Sequence, residues 1–557
     1  MSAFWRTSVR RESAPAPRSQ AVENGRGRLA VLSAVFLVAF GAICWKLFDL
    51  CLDASAPARH VIAAAGDKVF RADIVDRNGE LLARDLVLYD IWLNPSRLRD
   101  PAGAARALGR VLPKIDVRQL QRRFSSEHSF AYILRDATPK DADAVHSLGL
   151  PGVAFAHVPR RAYPQGSLFA HLLGYVDIDN KGIAGMELSR DQLLRERGDD
   201  GPPLRLSVDS QVQFAVRDVI QQGMADYHAH AGVGLVMDAQ NGEILSLVSL
   251  PDFDPNNPPA PNNPVMKNRA TSSLYEMGST FKPFTFAIGY ETGVLHNSDV
   301  FNATHPLKVA GRTIRDYHPT NKWLSPLEIF LHSSNIGAAE IALEFGAERQ
   351  RAYLQKFGLL SPSPIELPEV TPPIVQSQWG PVETATIAFG YGLSVSPVQL
   401  ASGLCALLNG GYYVPPTLIE REAVERREVV SAATSADIRN LMRANVEKGT
   451  GRSADVPGYD VGGKTGTAQK HEQGGAYNED ARLSSFAAVF PVASPRYLVL
   501  VMLDDPTLVP GKNGAPPTGG ATAAPLSGLI IRRIAPILGM PPESQEVDAQ
   551  EVPSKKM

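Results

Sequence analysis

Only three cysteines occur in 557 residues, Cys44, Cys51 and Cys405, and two of them fall in or beside one apolar segment. That set builds neither a disulfide framework nor a C-x-x-C metal or redox site. An excess of charge is lacking too, because 56 basic residues against 58 acidic ones leave a net charge of -2. No basic stripe interleaved with aromatics follows residue 60, so nucleic acid is not expected as a partner. The H-E-x-x-H pattern of helical zinc hydrolases does not occur. Nor does Gly-x-Ser-x-Gly, which disfavours a Ser-His-Asp esterase. No metal and no cofactor is expected. The chain is 44% apolar and 20% charged, the balance of a folded protein long enough for three or four structural units.

Residues Leu29 to Trp45 form an uncharged run of about 17 residues, within the length that a tilted or snorkelling helix needs to cross a bilayer. Arg6, Arg10, Arg11, Arg18, Arg26 and Arg28 precede it against only Glu12 and Glu23. The positive-inside rule then expects a cytoplasmic stretch over 1–28, a membrane helix over 29–52 and everything later outside. Ala54-Ser55-Ala56 has the small-x-small look of a signal-peptide cleavage site, but the apolar run exceeds the usual ~7–15 residue core of such a peptide.

Beyond an Ala/Pro linker near Ala54 to Ala58, residues 67 to about 225 mix short apolar stretches with many arginines, and no chemistry is evident there. Arg71 to Gly79 reads as a strand entering an Asn-Gly turn. From Gly232 the pattern sharpens. Gly234–Met237 and Glu243–Leu250 are strand-like and joined through Gln240-Asn241-Gly242, a tight-hairpin sequence. Gly463–Ala468, Ser484–Phe490 and Tyr497–Leu503 supply three more strands. Between the two sets, residues 275–450 carry mainly helical spacing, at Ser333 onward, Thr384 onward and Ser435–Val446. Ala524–Leu538 adds a further apolar helix. The expectation is an α+β domain in which a helical insert separates two halves of a five-stranded antiparallel sheet. The tail from Pro541 is polar and Pro/Glu-rich, and is expected to be disordered.

Ser279-Thr280-Phe281-Lys282 is the one Ser-x-x-Lys of the chain. Alone it is no more than chance would give. Pro283, however, lacks an N–H and clashes with the carbonyl four residues back in a helix, so a helix containing it begins at about Ser279. The Ser279 hydroxyl then sits at a helix amino terminus with Lys282 one turn along on the same face. A hydroxyl needs a base to become a nucleophile, and lysine can serve if burial or a second cation lowers its pKa. Ser333-Ser334-Asn335 and Lys464-Thr465-Gly466-Thr467 each occur once and follow in order. Ser333 can relay a proton, and Asn335 can bond a substrate amide or hold Lys282. Lys464 can bind a carboxylate and depress the pKa of Lys282. At Gly466 the missing side chain leaves room for substrate to pair along the strand edge, next to Thr465. The backbone N–H of Thr467 with that of Ser279 can form an oxyanion hole.

Together the three motifs resemble those of the class B penicillin-binding proteins, the division-specific kind (penicillin-binding protein 3, FtsI-type) more than the elongation kind. The likeness spans about residues 67–530. It includes Arg71 to Gly79, Arg161-Ala162-Tyr163-Pro164 through Gly174-Tyr175-Val176, Gly185-Met186-Glu187, Asp238 to Leu250, Phe389-Gly390-Tyr391-Gly392 and Ser396-Pro397-Val398-Gln399. Ala72, where the family usually has Gly, is one departure. The resemblance implies an elongated pedestal domain of the penicillin-binding protein dimerisation type over 60–225 and a transpeptidase domain over 226–540, with 541–557 as tail. It implies a peptidoglycan D,D-transpeptidase of septal wall synthesis, anchored in the bacterial inner membrane with its catalytic domain in the periplasm and inhibited by β-lactams. Stem peptides, β-lactams, an FtsW-type polytopic glycan polymerase and other division proteins are the partners it implies. The alternatives are a D,D-carboxypeptidase or β-lactamase-like hydrolase, mostly secreted or tail-anchored without a large pedestal, and a penicillin-sensing receptor, for which 28 cytoplasmic residues are too few. Phe389 to Gly392 reads as a structural turn, and Asp316 and His318 as packing or gating residues.

Overall fold

The computed structural model describes residues 33–46, 70–125, 129–421, 423–471, 477–507, 509–511 and 516–542. Residues 33–46 form a helix whose large apolar side chains, Phe36 and Trp45 among them, are exposed. Among the described residues no helix is long and apolar enough to cross a membrane. The rest of the expected 29–52 span, the stretch 1–28 and the tail from 543 lie outside the described residues.

The chain divides into two compact units, one containing residues 88–158 and the other residues 68–87 and 159 onward. In the first, helices Pro101–Val111, Val117–Phe124 and Pro139–His146 pack with strand Ala131–Ala137 around Ile91, Leu108, Leu120, Phe124, Ile133 and Val145.

In the second unit, the Asn-Gly turn closes a short hairpin in which Ile74–Val75 pair with Leu81–Ala83 and Gly79 takes a positive φ of 89°. The arginine motifs that carried no visible chemistry converge here on one carboxylate. Arg71 Nε bonds Glu187 Oε2 at 2.9 Å and Arg161 Nε bonds Glu187 Oε1 at 2.6 Å. Asp85 pairs with Arg161 at 3.2 Å, and Asp191 with Arg71. Both guanidinium groups and Glu187 are fully buried. Charges removed from water this completely persist only when each is paired and hydrogen-bonded, which the shared carboxylate achieves.

The main sheet of this unit has five antiparallel strands: β1 (Ala231–Asp238), β2 (Ile244–Leu250), β3 (Gly462–His471), β4 (Tyr477–Phe490) and β5 (Tyr497–Asp504), in the order β3-β4-β5-β1-β2. Side chains alternate between its faces. Val236, Val248, Ala488, Val499 and Val501 meet Val216 and Ile220 of helix α1 (Ser210–Asp226) and Ile530, Ile531 and Ile534 of a carboxy-terminal helix, Ala523–Ile537. Leu235, Leu247, Ala487, Leu498 and Leu500 face the helical insert. Because both faces are covered, β1 and β2 are buried throughout and show no in/out alternation, with Ser246 and Ser249 the polar interruptions of β2. The insert contributes α2 (Lys282–Glu291), α3 (Pro326–His332), α4 (Asn335–Lys356), α5 (Pro397–Leu408) and α6 (Ala432–Lys448). β3 is an edge strand, and the turn Gly278–Phe281 that leads into α2 packs on it.

Candidate active site

Ser279 lies in a 3-10 turn, Gly278–Phe281, that runs straight into α2 with Pro283 in its first turn. The helical path therefore starts at the serine, as the proline requires. Two glycines let the turn form. Gly278 takes a φ of 53°, and a Cβ there would stand 2.8 Å from the Thr467 carbonyl oxygen; a Cβ on Gly390 would stand 2.1 Å from the Gly278 carbonyl oxygen. The Gly278 N–H donates to the Gly390 carbonyl at 3.2 Å, and Glu276 accepts the Gly392 N–H at 2.6 Å. The Phe389 to Gly392 turn is thus a buttress behind the serine.

Four oxygens surround Lys282 Nζ: Ser279 Oγ at 3.1 Å, Ser333 Oγ at 3.1 Å, Asn335 Oδ1 at 2.9 Å and the Ser333 carbonyl. An ammonium has three protons for these four. A neutral amine donates its two protons to the carbonyl oxygens, which can only accept, and keeps a lone pair for a hydroxyl proton. Burial is the main force holding Lys282 well below the ordinary lysine range, the positive charge of Lys464 acts in the same sense, and Asp316 opposes both. Phe281 meets Phe284 and Phe284 meets Phe357 in tilted contacts, and Phe286 meets Phe330 edge-on, so the first turns of α2 are embedded among buried aromatic rings.

Ser333 follows α3 in the left-handed conformation, φ 57° and ψ 41°. For a residue with a Cβ this costs about 1 kcal/mol or more. It turns both the carbonyl and the hydroxyl of Ser333 onto Lys282. Ser334 then caps α4, accepting the Gly337 N–H at 3.1 Å.

Lys464, on β3, is fully buried and donates to Ser333 Oγ at 3.1 Å and to the Thr465 carbonyl at 3.1 Å, above the ring of Phe330. Burial pushes its pKa down to about 7. Among the described residues neither lysine has an ion-pair partner, so this second cation is left for an anionic group of a ligand. Thr465 Oγ1 meets Thr450 Oγ1 at 2.7 Å. Thr467 Oγ1 accepts the Gly519 N–H at 3.0 Å.

Gly466 has a different use from the expected one. A Cβ there would lie 2.4 Å from Ser485 Oγ, 2.8 Å from Thr280 Cγ2 and 2.9 Å from the Met277 carbonyl oxygen. The space that a side chain would fill belongs to the serine turn, and the glycine lets β3 close against it.

Ser279, Lys282, Ser333, Asn335 and Lys464 therefore form one hydrogen-bonded cluster, with Thr465, Gly466 and Thr467 along its β3 side. Three supports have a role that sequence reasoning does not assign: it reads Tyr391 and Asp316 only as turn, packing or gating residues, and passes over Asn445. Tyr391 Oη accepts the Gln469 N–H at 3.1 Å, tying the buttress to β3. Asn445 Nδ2 donates to the Gly463 carbonyl at 2.8 Å. Asp316 reaches the Ser334-Asn335 corner. No spacing rule links any of these to its target. Two open clefts, of about 570 Å³ beside Phe130–Arg135 and about 500 Å³ beside Phe214, bring no hydroxyl together with a lysine.

Comparison with known proteins gives the same arrangement a context. Residues 232–530 match the family described as penicillin binding protein transpeptidase domain, and residues 67–201 match the penicillin-binding protein dimerisation domain. The chain is 42% identical over 502 residues to the probable peptidoglycan D,D-transpeptidase FtsI of Caulobacter vibrioides, covering 88% of this chain and 85% of that one. It is 32% identical over 505 residues to the probable peptidoglycan D,D-transpeptidase PenA of Neisseria meningitidis, covering 85% of each. The crystal structure of penicillin-binding protein 3 from Mycobacterium tuberculosis in complex with aztreonam superposes with a TM-score of 0.68 at 27% identity, covering 86% of this chain and 98% of that one.

Proposed function

The chain belongs to the class B penicillin-binding proteins, and from that membership we propose how its residues divide the work of a peptidoglycan D,D-transpeptidase. Such an enzyme cross-links stem peptides through an acyl-serine intermediate. Ser279 Oγ attacks the carbonyl carbon of the penultimate D-alanine as its proton passes to the Lys282 lone pair. The tetrahedral oxyanion is held by the Ser279 and Thr467 N–H groups. As the C–N bond breaks, the departing D-alanine amine takes a proton relayed from Lys282 through the Ser333 hydroxyl. The amine of a second stem peptide then attacks the ester and gives up its proton by the same relay, and Ser279 leaves as a hydroxyl. Lys464 pairs with the terminal carboxylate of the donor, or with that of a β-lactam, and the Asn335 amide bonds the substrate backbone.

The observation that carries this reading is the buried Lys282 amine 3.1 Å from Ser279 Oγ and ringed by acceptors. Hydrolysis is less well supported. Asp316, the carboxylate that reaches the Ser334-Asn335 corner, has both oxygens engaged by protein donors, which supports a role in holding the corner over one in activating water.

The setting belongs to the same proposal. The Arg-rich start and the apolar run Leu29 to Trp45 support an inner-membrane anchor with the catalytic unit in the periplasm, and the division-type relatives support septal work beside an FtsW-type polymerase. Labelled penicillin is the direct test of the chemistry. Stoichiometric labelling that Ser279→Ala abolishes is expected, with a penicilloyl ester lasting many minutes; labelling that persists in the variant, or rapid bulk hydrolysis of the drug, overturns it.

A further inference from the structure

Asp316 sits just beyond the hairpin Leu307–Val309 and Arg312–Ile314, some twenty residues before the Ser333-Ser334-Asn335 corner. Its carboxylate takes donors from three consecutive residues there. Oδ2 accepts the Ser334 hydroxyl at 2.8 Å, and Oδ1 accepts the N–H groups of Asn335 at 2.6 Å and Ile336 at 3.0 Å. The preceding carbonyl, Arg315 O, accepts Asn335 Nδ2 at 3.2 Å. With Nδ2 committed to an acceptor, the other end of the amide, Oδ1, is the one that faces Lys282 at 2.9 Å.

We propose that Asp316 is a positioning residue for the acyl-transfer site: it clamps the Ser333–Asn335 corner in its left-handed bend and so sets Ser333 Oγ, the Ser333 carbonyl and Asn335 Oδ1 on Lys282. The inference rests on the reading of the site given above. A capping role alone would need one oxygen and one donor. Here a single carboxylate engages three successive residues immediately after the strained one, and its neighbour's carbonyl fixes the amide that touches the base. The carboxylate is also the negative charge that works on Lys282 against Lys464. The other charged groups near these two are otherwise placed. Glu291, at the far end of α2, accepts from Ser431 and Thr434; Asp437 of α6 acts on Tyr290; His332, at the end of α3, is exposed. Beside Asp316, Lys322 pairs with Glu328 at 2.9 Å, and the His318 ring packs edge-on to Tyr317.

The test is the pH profile of the second-order acylation rate with a fluorescent penicillin. Asp316→Asn keeps the shape and an accepting oxygen but removes the charge. Loss of the negative charge favours the neutral Lys282 amine, so the acid limb moves to lower pH. Asp316→Ala frees the corner and lowers the rate roughly tenfold or more at every pH, the cost of a sub-ångström misplacement. An Asn variant whose acid limb stays in place or moves to higher pH overturns the proposal, as does an Ala variant that folds and acylates like the wild type. Failure here with normal Ser279 labelling of the wild type leaves the transpeptidase assignment intact, and loss of Ser279 labelling strikes that assignment instead.

Discussion

Replacing Gly466 with alanine separates two uses of that glycine. The added methyl group would stand 2.9 Å from the Met277 carbonyl oxygen and 2.8 Å from Thr280 Cγ2. Ordinary carbon contacts begin about half an ångström further out. Ser485 Oγ, at 2.4 Å, is the end of a small side chain and can rotate, whereas the carbonyl cannot. β3 and the serine turn must therefore separate by about 0.5 Å. Overpacking of this kind costs about 1–3 kcal/mol. A misplacement of ~1 Å near the chemistry costs about a hundredfold in rate, so half of it is about tenfold. The assay is the acylation rate constant with fluorescent penicillin beside a thermal melt. Thr280→Ser removes the obstructing methyl while keeping the hydroxyl that donates to the Met277 carbonyl at 2.7 Å. Gly466→Ala combined with Thr280→Ser should recover several-fold of the lost rate, a coupling of about 1 kcal/mol. Two results refute the reasoning: wild-type acylation by Gly466→Ala, or strictly additive effects in the double variant.

Lys282→Arg should be nearly as damaging as Lys282→Ala, by roughly 10²–10⁴-fold in acylation, because a guanidinium offers no lone pair for the Ser279 proton; substantial activity of the arginine variant would show that charge alone suffices. Acylation by the wild type should fall as pH drops through the lowered pKa of Lys282, since the ammonium cannot accept a proton. Lys464→Met removes a positive charge that disfavours that ammonium, so Lys282 should titrate at higher pH and the acid limb of the acylation profile should move upward; an unmoved limb would deny the coupling. Glu187→Ala leaves Arg71 and Arg161 buried without their shared partner and should cost about 3–5 kcal/mol in denaturant unfolding, with a loss under 1 kcal/mol showing that the cluster is not a keystone.

Local sequence was enough to determine the parts. Short apolar runs bounded by turn residues mark the five strands, because run length and an Asn-Gly step are properties of a few consecutive residues. Pro283 places the helix start at Ser279 by sterics within one turn. The three motifs name the nucleophile, base, relay and second cation because their chemistry is written in residue type and order. Only the tertiary structure decided what holds those parts together. Arg71, Arg161 and Glu187 carried no visible role until folding brought two guanidinium groups onto one carboxylate, since the cost of burying a charge depends on neighbours far away in the chain. Gly466 was read as space for substrate, and the fold lines the position of its missing side chain with Ser485 Oγ, the Thr280 methyl and the Met277 carbonyl. Asp316 was read as packing or gating, and its oxygens proved to hold the residue that holds the base. Such contacts join positions about 20 to 190 residues apart. They are fixed by which surfaces the core brings together, and no periodicity or spacing in a single chain encodes that distance.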